Sequence, residues 1–251
     1  MAFDTITFER QGPIGVLTLN RPDARNALSI DLLQALHARV DELANQDGVS
    51  VLVLTGAGKC FCAGMDLKAV LNVPDAPQTL LRLLADVAIK IRALPMAVIA
   101  RVNGAAIGGG CGLTCVCDFC VTHADAKMGF PEVDLGLCPA VVAPWLVHRI
   151  GAGRARAILL RGGVMTGRQA YDAGIATHLA DSLEQLDETV DELSSSLAAG
   201  GPGALGATKS LLNRLDGSLD RDIARRAADL SARILASDEA QRALRARFGT
   251  D

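Results

Sequence analysis

The chain has 251 residues, a formal net charge of −3 at pH 7, 50% hydrophobic and 21% charged residues. This composition is typical of a globular protein of one or two domains with a sizeable core. The charge balance offers no basic surface for nucleic acid, and 3% aromatic residues leave few rings to stack on bases. We find neither a signal-like N-terminus nor a run of roughly 18 apolar residues, so we expect a cytoplasmic protein without a membrane span.

Strands and helices alternate along the first half of the chain. Alternating polar and apolar residues predict an N-terminal hairpin, and apolar residues spaced by three and four predict a helix capped by Asn26 or Ser29. Repetition of a strand-rich unit followed by a helix indicates an α/β fold. In chain order the predicted elements are hairpin strands 5–8 and 14–19, helix 28–44, strand 49–54, a loop at 74–77, helix 80–94, strand 98–102, buried helix 111–117 and strand 118–122.

Two glycine turns stand out because each follows a strand and precedes a helix. Gly108–Gly110 opens the buried helix after strand 98–102, and Gly64 precedes a helix that starts near Asp66. The first N–H groups of a helix have no partner inside it, and its dipole favours negative charge there. Close packing of helix on strand is the alternative explanation for such glycines.

The second half of the chain is mostly helical. A turn-rich region at 128–136 precedes helices at 143–150, 154–160, 168–173 and 182–197, with Thr166 and Gln169 as a capping box. After a linker-like stretch at 200–203, three further helices are predicted at 204–215, 219–236 and 238–248. We therefore divide the chain into a core, residues 1–199, and a helical segment, residues 200–251, that serves as a lid or an oligomer arm. Its leucines need a covering surface.

Seven cysteines raise the question of a metal site. Four of them lie between Cys111 and Cys120, in an apolar helix and the strand after it. Zinc sites use paired thiolates on turns, whereas this helix places Cys111 and Cys115 on one face and Cys117 on another. We interpret the thiols as small buried hydrophobes and expect neither a metal site nor disulfides.

The two glycine turns could serve one chemical step. If the N–H groups of Met65 and Gly109 point at the same carbonyl oxygen, they form an oxyanion hole. Glu132 lies in an apolar stretch, where desolvation would raise its pKa and suit it to acid–base catalysis. The alternative is an ordinary loop carboxylate in water.

Five segments in order resemble the crotonase (enoyl-CoA hydratase/isomerase) superfamily. They are Asn20–Leu28, Phe61–Leu67, Val102–Cys111, Cys117–Asp118 and Phe130–Leu137. The resemblance implies a crotonase-like spiral of ββα units with a C-terminal all-helical segment. It also implies an acyl-CoA thioester as substrate, no metal or redox cofactor, and a homotrimer or dimer of trimers.

The resemblance also assigns roles to residues. Met65 and Gly109 would donate N–H groups to the thioester oxygen, and Glu132 would act as acid or base. Solvated charge is the alternative for Arg25 and Lys68, and capping of the next helix is the alternative for Asp66. The residues expected to bind the substrate are Arg25, Ala63, Gly64, Asp66, Leu67, Lys68, Gly108 and Gly110.

One departure from the family pattern bears on the reaction. Hydratases of the family commonly carry a first glutamate where this chain has Gly112, so Glu132 would act alone. Single-glutamate relatives include Δ3,Δ2-enoyl-CoA isomerases. Some hydratases that resemble the methylglutaconyl-CoA type share the pattern at Leu135–Ala140, which favours hydration here. Isomerisation, or acyl-CoA binding with little catalysis, are the alternatives.

Overall fold

The computed structural model describes residues 5–70, 73 and 75–248, and it contains two β-sheets. In the larger sheet the spatial order is β1-β2-β3-β5-β7-β10, and in the smaller it is β4-β6-β8-β9. The strands are β1 (Ile6–Gln11), β2 (Ile14–Leu19), β3 (Val51–Gly56), β4 (Cys60–Cys62), β5 (Ala97–Val102), β6 (Ala105–Ile107), β7 (Phe119–His123), β8 (Lys127–Gly129), β9 (Val164–Thr166) and β10 (His178–Ala180).

Helices cover both sheets and form the C-terminal part of the described residues. They are α1 (Ile30–Ala44), α2 (Leu67–Val70), α3 (Ala76–Ala93), α4 (Gly109–Val116), α5 (Ala143–Ile150), α6 (Ala152–Arg161), α7 (Gly167–Asp172), α8 (Leu183–Ala198), α9 (Pro202–Asp216), α10 (Arg221–Leu235) and α11 (Asp238–Phe248). No helix within the described ranges is long and apolar enough to cross a bilayer. The mixed α/β architecture with a helical C-terminal segment agrees with the predicted fold class.

The strongest patterns in the sequence formed the expected elements. Every residue of β3 is buried, as expected for a parallel strand covered on both faces. Helix α1 begins after Ser29, whose hydroxyl accepts the Leu32 N–H at 3.2 Å, so Ser29 rather than Asn26 is the cap. Thr166 and Gln169 form the predicted capping box of α7.

Two predicted loops were partly wrong for the same reason. Helix α3 begins at Ala76, inside the loop expected at 74–77, and α9 begins at Pro202, inside the linker expected at 200–203. Proline is tolerated in the first turn of a helix because its missing N–H would have no partner there. Pro74 itself lies outside the described residues.

The smaller sheet brings the two glycine turns together. Strand β4 pairs in parallel with β6, with Cys62 opposite Ala106. The carboxyl ends of parallel neighbours meet at one edge of a sheet. The turn after β4, at Gly64, therefore lies beside the turn after β6, at Gly108.

The C-terminal helices pack against the core of the same chain. Helix α10 packs on α3, and α11 lies against the turn at Gly136, where a Cβ would lie 3.7 Å from the Ala243 Cβ. Three leucines of α9 stay about half uncovered or more: Leu211, Leu212 and Leu215 are 49%, 53% and 75% exposed. The division of the chain at residue 200 remains a prediction.

Candidate active site

Both glycine turns need a backbone conformation that favours glycine. Gly64 has φ +91°, and Gly108 has φ +53° with ψ −121°. Side chains are strained at such positive φ values. A Cβ would also collide at both places, with the Ile107 carbonyl oxygen at 2.8 Å and with Glu132 Oε1 at 2.8 Å. Glycine is therefore required at both turns, beyond its use in packing.

The amides of Met65 and Gly109 lie in the same small region. A Cβ placed on Gly64 would lie 3.8 Å from the Gly109 nitrogen, and one placed on Gly109 would lie 3.9 Å from Met65 Cγ. Within the described part of the chain, neither amide donates a hydrogen bond to another protein group. Two unpaired N–H groups at adjacent turns can serve one oxygen of a ligand.

Hydrogen bonds on both sides hold the Met65 amide in place. Leu28 N–H donates to the Gly64 carbonyl oxygen at 2.8 Å, and Asp66 N–H donates to the Leu28 carbonyl oxygen at 3.0 Å. The carbonyl oxygen of the Gly64–Met65 peptide group and the N–H of the next peptide group are thus paired with Leu28, and the Met65 N–H is left for a ligand.

A buried asparagine fixes that segment. Asn26 has no exposed surface, and its amide donates to the carbonyl oxygens of Ala57 (3.0 Å) and Cys60 (2.7 Å). Its carbonyl oxygen accepts the Arg21 N–H at 2.9 Å. Because these bonds satisfy a fully buried amide, Asn26 locks the loop against β4. Asn26, one of the two predicted caps of α1, therefore holds the segment that pairs with Gly64 and Asp66.

Glu132 lies against Gly108 with one carboxyl oxygen unpaired. The residue is 7% exposed, and Oε2 has no hydrogen-bond partner among the described residues. Burial raises the pKa of Glu132 to about 7, and the nearby Asp134 carboxylate adds to the rise. Near neutral pH the side chain can therefore both accept and donate a proton.

Val142 fills the space beside Gly112. A Cβ on Gly112 would overlap Val142 Cγ1 and would lie 3.0 Å from Val142 Cβ. The position of the first family glutamate thus lacks a carboxylate, and an apolar side chain occupies the adjacent volume. Of the two positions where the family commonly carries glutamate, 112 and 132, only 132 has an acidic side chain in this chain.

The predicted substrate-binding residues divide into several groups. Gly110 is a packing position, because a Cβ there would overlap the Cys62 carbonyl oxygen and lie 2.8 Å from Cys62 Cβ. Leu67 is buried in the core, whereas Arg25 and Lys68 are exposed. Ala63 contributes its N–H to the Arg25 carbonyl oxygen at 3.0 Å.

Asp66 makes an ion pair that the sequence analysis missed. Its Oδ2 accepts from both terminal nitrogens of the Arg21 guanidinium at 3.1 Å, and Arg21 also donates to the Ala27 carbonyl oxygen at 2.6 Å. The carboxylate is therefore already committed to Arg21. The available signal in the sequence was Arg21 itself, which lies two residues after the end of β2 and within the segment Asn20–Leu28 that carries the family resemblance.

A buried lysine in the helical segment was also missed. Lys209 Nζ lies 2.8 Å from Asp118 Oδ2 and donates to the Met96 carbonyl oxygen at 2.9 Å. Burial lowers the pKa of Lys209, and the Asp118 carboxylate opposes that shift. These bonds fasten α9 to the core.

A separate cavity of about 520 Å³ borders this ion pair. Glu132, Met65 and Gly109 do not line it. Its arginine and lysine side chains are already engaged by Asp118, Asp216 or backbone carbonyls.

The cysteines are free thiols, and six of the seven are buried. Burial raises the pKa of Cys62 to about 12 and that of Cys120 to about 12, so these thiols stay protonated. In the described parts of the chain, no three His, Cys, Asp or Glu side chains group to hold a metal ion.

Two unpaired amides at adjacent glycine turns beside a buried glutamate form the arrangement that the crotonase resemblance implies. The family model for enoyl-CoA hydratase/isomerase matches residues 9–246. The chain belongs to the enoyl-CoA hydratase/isomerase family, which confirms the resemblance.

Individual relatives agree with this assignment. The 2,3-dehydroadipyl-CoA hydratase of Escherichia coli K12 is 35% identical over 206 residues, covering 82% of this chain and 80% of its own. The crotonyl-CoA hydratase of Syntrophomonas wolfei is 32% identical over 216 residues, covering 85% and 83%. The crystal structure of an enoyl-CoA hydratase from Mycobacterium avium is 32% identical, with a TM-score of 0.86 and coverage of 98% and 96%.

Proposed function

We propose that the protein hydrates a 2-enoyl-CoA thioester, with Glu132 as its single acid–base group. One observation carries the proposal: the free amides of Met65 and Gly109 lie together at the turn that also contacts Glu132. The names of the relatives and the pattern at Leu135–Ala140 support hydration in particular.

The thioester oxygen would accept hydrogen bonds from Met65 and Gly109. As water attacks C3, negative charge moves to that oxygen, and each correctly placed donor lowers the barrier by about 3–4 kcal/mol. The Glu132 carboxylate accepts the proton that water loses and then delivers it to C2. One C–O bond and one C–H bond form, the C2–C3 π bond breaks, and Glu132 is again a carboxylate.

Isomerisation is the second candidate, and Val142 beside Gly112 favours it. A single carboxylate with an apolar neighbour suits the transfer of one proton from C2 to C4 of a 3-enoyl-CoA. The same oxyanion hole would stabilise the dienolate between the two steps. Acyl-CoA binding with little turnover is the remaining alternative.

The test compares the wild type with Glu132→Gln on crotonyl-CoA and on a 3-enoyl-CoA. Because general acid–base catalysis contributes roughly 10²–10⁴-fold, kcat/KM should fall by at least about 100-fold in the variant. Wild-type kcat/KM should rise with pH through an apparent pKa of about 7, since the carboxylate is the form that accepts the proton. Glu42→Gln, which changes an exposed glutamate paired with Arg39, is the matched control.

The outcomes separate the candidates. Preferred turnover of crotonyl-CoA supports hydration, and preferred turnover of the 3-enoyl-CoA supports isomerisation. Full activity in Glu132→Gln would overturn the mechanism. Micromolar binding of an acyl-CoA without turnover of any enoyl-CoA would point to a binding protein.

We also propose that the chain assembles as a homotrimer, or as a dimer of such trimers, and acts in the cytoplasm. The exposed leucines of α9 support assembly, because an exposed apolar cluster is stabilised when a partner covers it. Sedimentation analysis should give a trimer or hexamer, and Leu212→Glu with Leu215→Glu should shift it toward monomer. A monomeric wild type would contradict the proposal.

A further inference from the structure

Gly108 and Gly112 lie one turn apart, and a different side chain covers each of them. The turn is closed by the Gly112 N–H, which donates to the Gly108 carbonyl oxygen at 2.8 Å. Glu132 covers Gly108, and Val142 covers Gly112. Gly108 is the residue before α4 and Gly112 lies in its first turn, so the Glu132 carboxyl and the Val142 isopropyl group both border the start of this helix.

The C-terminal segment holds Val142 in this position. Ser231, on α10, accepts the Val141 N–H at 3.2 Å and donates its hydroxyl to the Cys138 carbonyl oxygen at 2.9 Å. Val142 N–H closes the same turn by donating to the Pro139 carbonyl oxygen at 3.2 Å. Ser231 is 5% exposed, so its two bonds replace water for the backbone of this turn.

We propose that Val142 determines which acyl groups this enzyme accepts, and that Ser231 positions it. The inference rests on the proposed function. If Gly109 holds the oxygen on C1 and Glu132 acts on C2 and C3, Val142 borders the chain at or just beyond C3. Val142 is 2% exposed and packs closely on Gly112 of α4. Its side chain therefore leaves little room for a substituent on C3 of the acyl chain. The favoured substrates are 2-enoyl-CoAs without a substituent on C3.

The kinetic test compares crotonyl-CoA with 3-methylcrotonyl-CoA, which differ by one methyl group on C3. In Val142→Ala the ratio of kcat/KM for the branched over the unbranched substrate should rise about tenfold, the effect typical of one methyl group in an apolar pocket. Ser231→Ala should change the ratio in the same direction by a smaller factor. Ser231→Thr keeps the hydroxyl and should restore the wild-type ratio.

Ser218→Ala is the matched control. Ser218 lies in the same C-terminal segment and is also 5% exposed, but its hydroxyl contacts Asn213 and Arg92 instead of the 138–142 turn. A general loss of stability would affect this variant as well. The substrate ratio of Ser218→Ala should equal that of the wild type.

A second readout does not depend on turnover. Glutamate labelled with ¹³C at Cδ lets the Glu132 carboxyl be titrated by NMR in the free protein, with Glu132→Gln for assignment. Water entering the space vacated in Val142→Ala should lower the Glu132 pKa from about 7, while the Asp134 charge stays in place. If the wild type turns over no enoyl-CoA, the proposed function fails. The shift in the Glu132 pKa would still show whether the Val142 side chain keeps water away from Glu132.

The proposal is overturned if the substrate ratio and the Glu132 pKa are both unchanged in folded Val142→Ala. If Val142→Ala changes them and Ser231→Ala does not, the positioning role of Ser231 is overturned. An equal change in Ser218→Ala would also overturn it, because any loosening of the C-terminal segment would then suffice.

Discussion

Asp118 and Glu132 are both largely buried carboxylates, but the fold surrounds them in opposite ways. Asp118 accepts the Val98 N–H at 2.8 Å and the Lys209 ammonium at 2.8 Å, and the Arg92 guanidinium lies 3.6 Å away. Glu132 has one oxygen without a partner and no cation beside it among the described residues. Both lie close to helix α4, Asp118 after its end and Glu132 at its start.

This difference in hydrogen bonding distinguishes an acid that holds the structure together from one that can exchange a proton. A carboxylate whose oxygens accept from several donors is held in place by those hydrogen bonds. A desolvated carboxylate without donors has a high pKa, and it can exchange a proton with a substrate. Asp118 therefore fastens α9 to the core, and Glu132 stays free to exchange a proton, as the proposed mechanism requires.

Removing the charge of Asp118 should have the largest effect on stability. Asp118→Asn leaves the ammonium of Lys209, whose side chain is 9% exposed, without its main counter-charge. Breaking a buried ion pair in this way costs about 3–5 kcal/mol. Chemical denaturation should show this loss, whereas kcat per folded molecule should stay at the wild-type value because Asp118 does not contact Glu132.

Asp229→Asn provides the control for that experiment. Asp229 pairs with Arg82 on the surface, and the two side chains are 42% and 51% exposed. An exposed pair contributes about 0–1 kcal/mol. Similar losses in the two variants would show that Asp118 behaves like an ordinary surface carboxylate, and the contrast with Glu132 would be lost.

Neutralising Glu132 should have the opposite effect on stability. The folded pKa of about 7 lies above the ordinary value of 4.5, so the fold favours the protonated acid. Its stabilising contribution is complete below pH 4.5 and is lost as the pH rises through 7, a difference of about 3 kcal/mol. Glu132→Gln should therefore be more stable than the wild type above pH 7, while losing activity.

The measurement is the free energy of unfolding from pH 4 to pH 8 for both proteins. The difference between them should be small at pH 4 and reach its full size near pH 8. A variant that is less stable than the wild type at pH 8 would mean that Glu132 has partners there that compensate its burial.

Much of this arrangement could be predicted from local patterns. Apolar spacing located most helices, the apolar run at 98–102 located β5, and the glycines at 64 and 108–110 located the turns. The smaller sheet could not be found in this way, because its strands have three residues each and show no alternation. The two turns meet only because that sheet pairs β4 with β6.

Contacts between distant residues were also beyond local patterns. The sequence reveals that Gly112 has no side chain, but it does not reveal that Val142 fills the space or that Ser231 holds the turn. Lys209 resembled an exposed lysine on an amphipathic helix, and its burial depends on how α9 packs on the core. Such pairings depend on tertiary packing, which residue spacing does not encode.

Asp66 offers the smallest and finest test, because it is intermediate between the two acids. Its side chain is 19% exposed and has one cation, Arg21, at 3.1 Å. Asp66→Asn and Arg21→Gln should each lower stability by about 1 kcal/mol, and the double variant should lose little more than either. If instead Asp66 also contacts CoA, its variant should raise KM well above that of Arg21→Gln. Equal KM values with a coupling energy near 1 kcal/mol would place Asp66 with Asp118, as an acid that holds the chain around the amides proposed to bind the thioester oxygen.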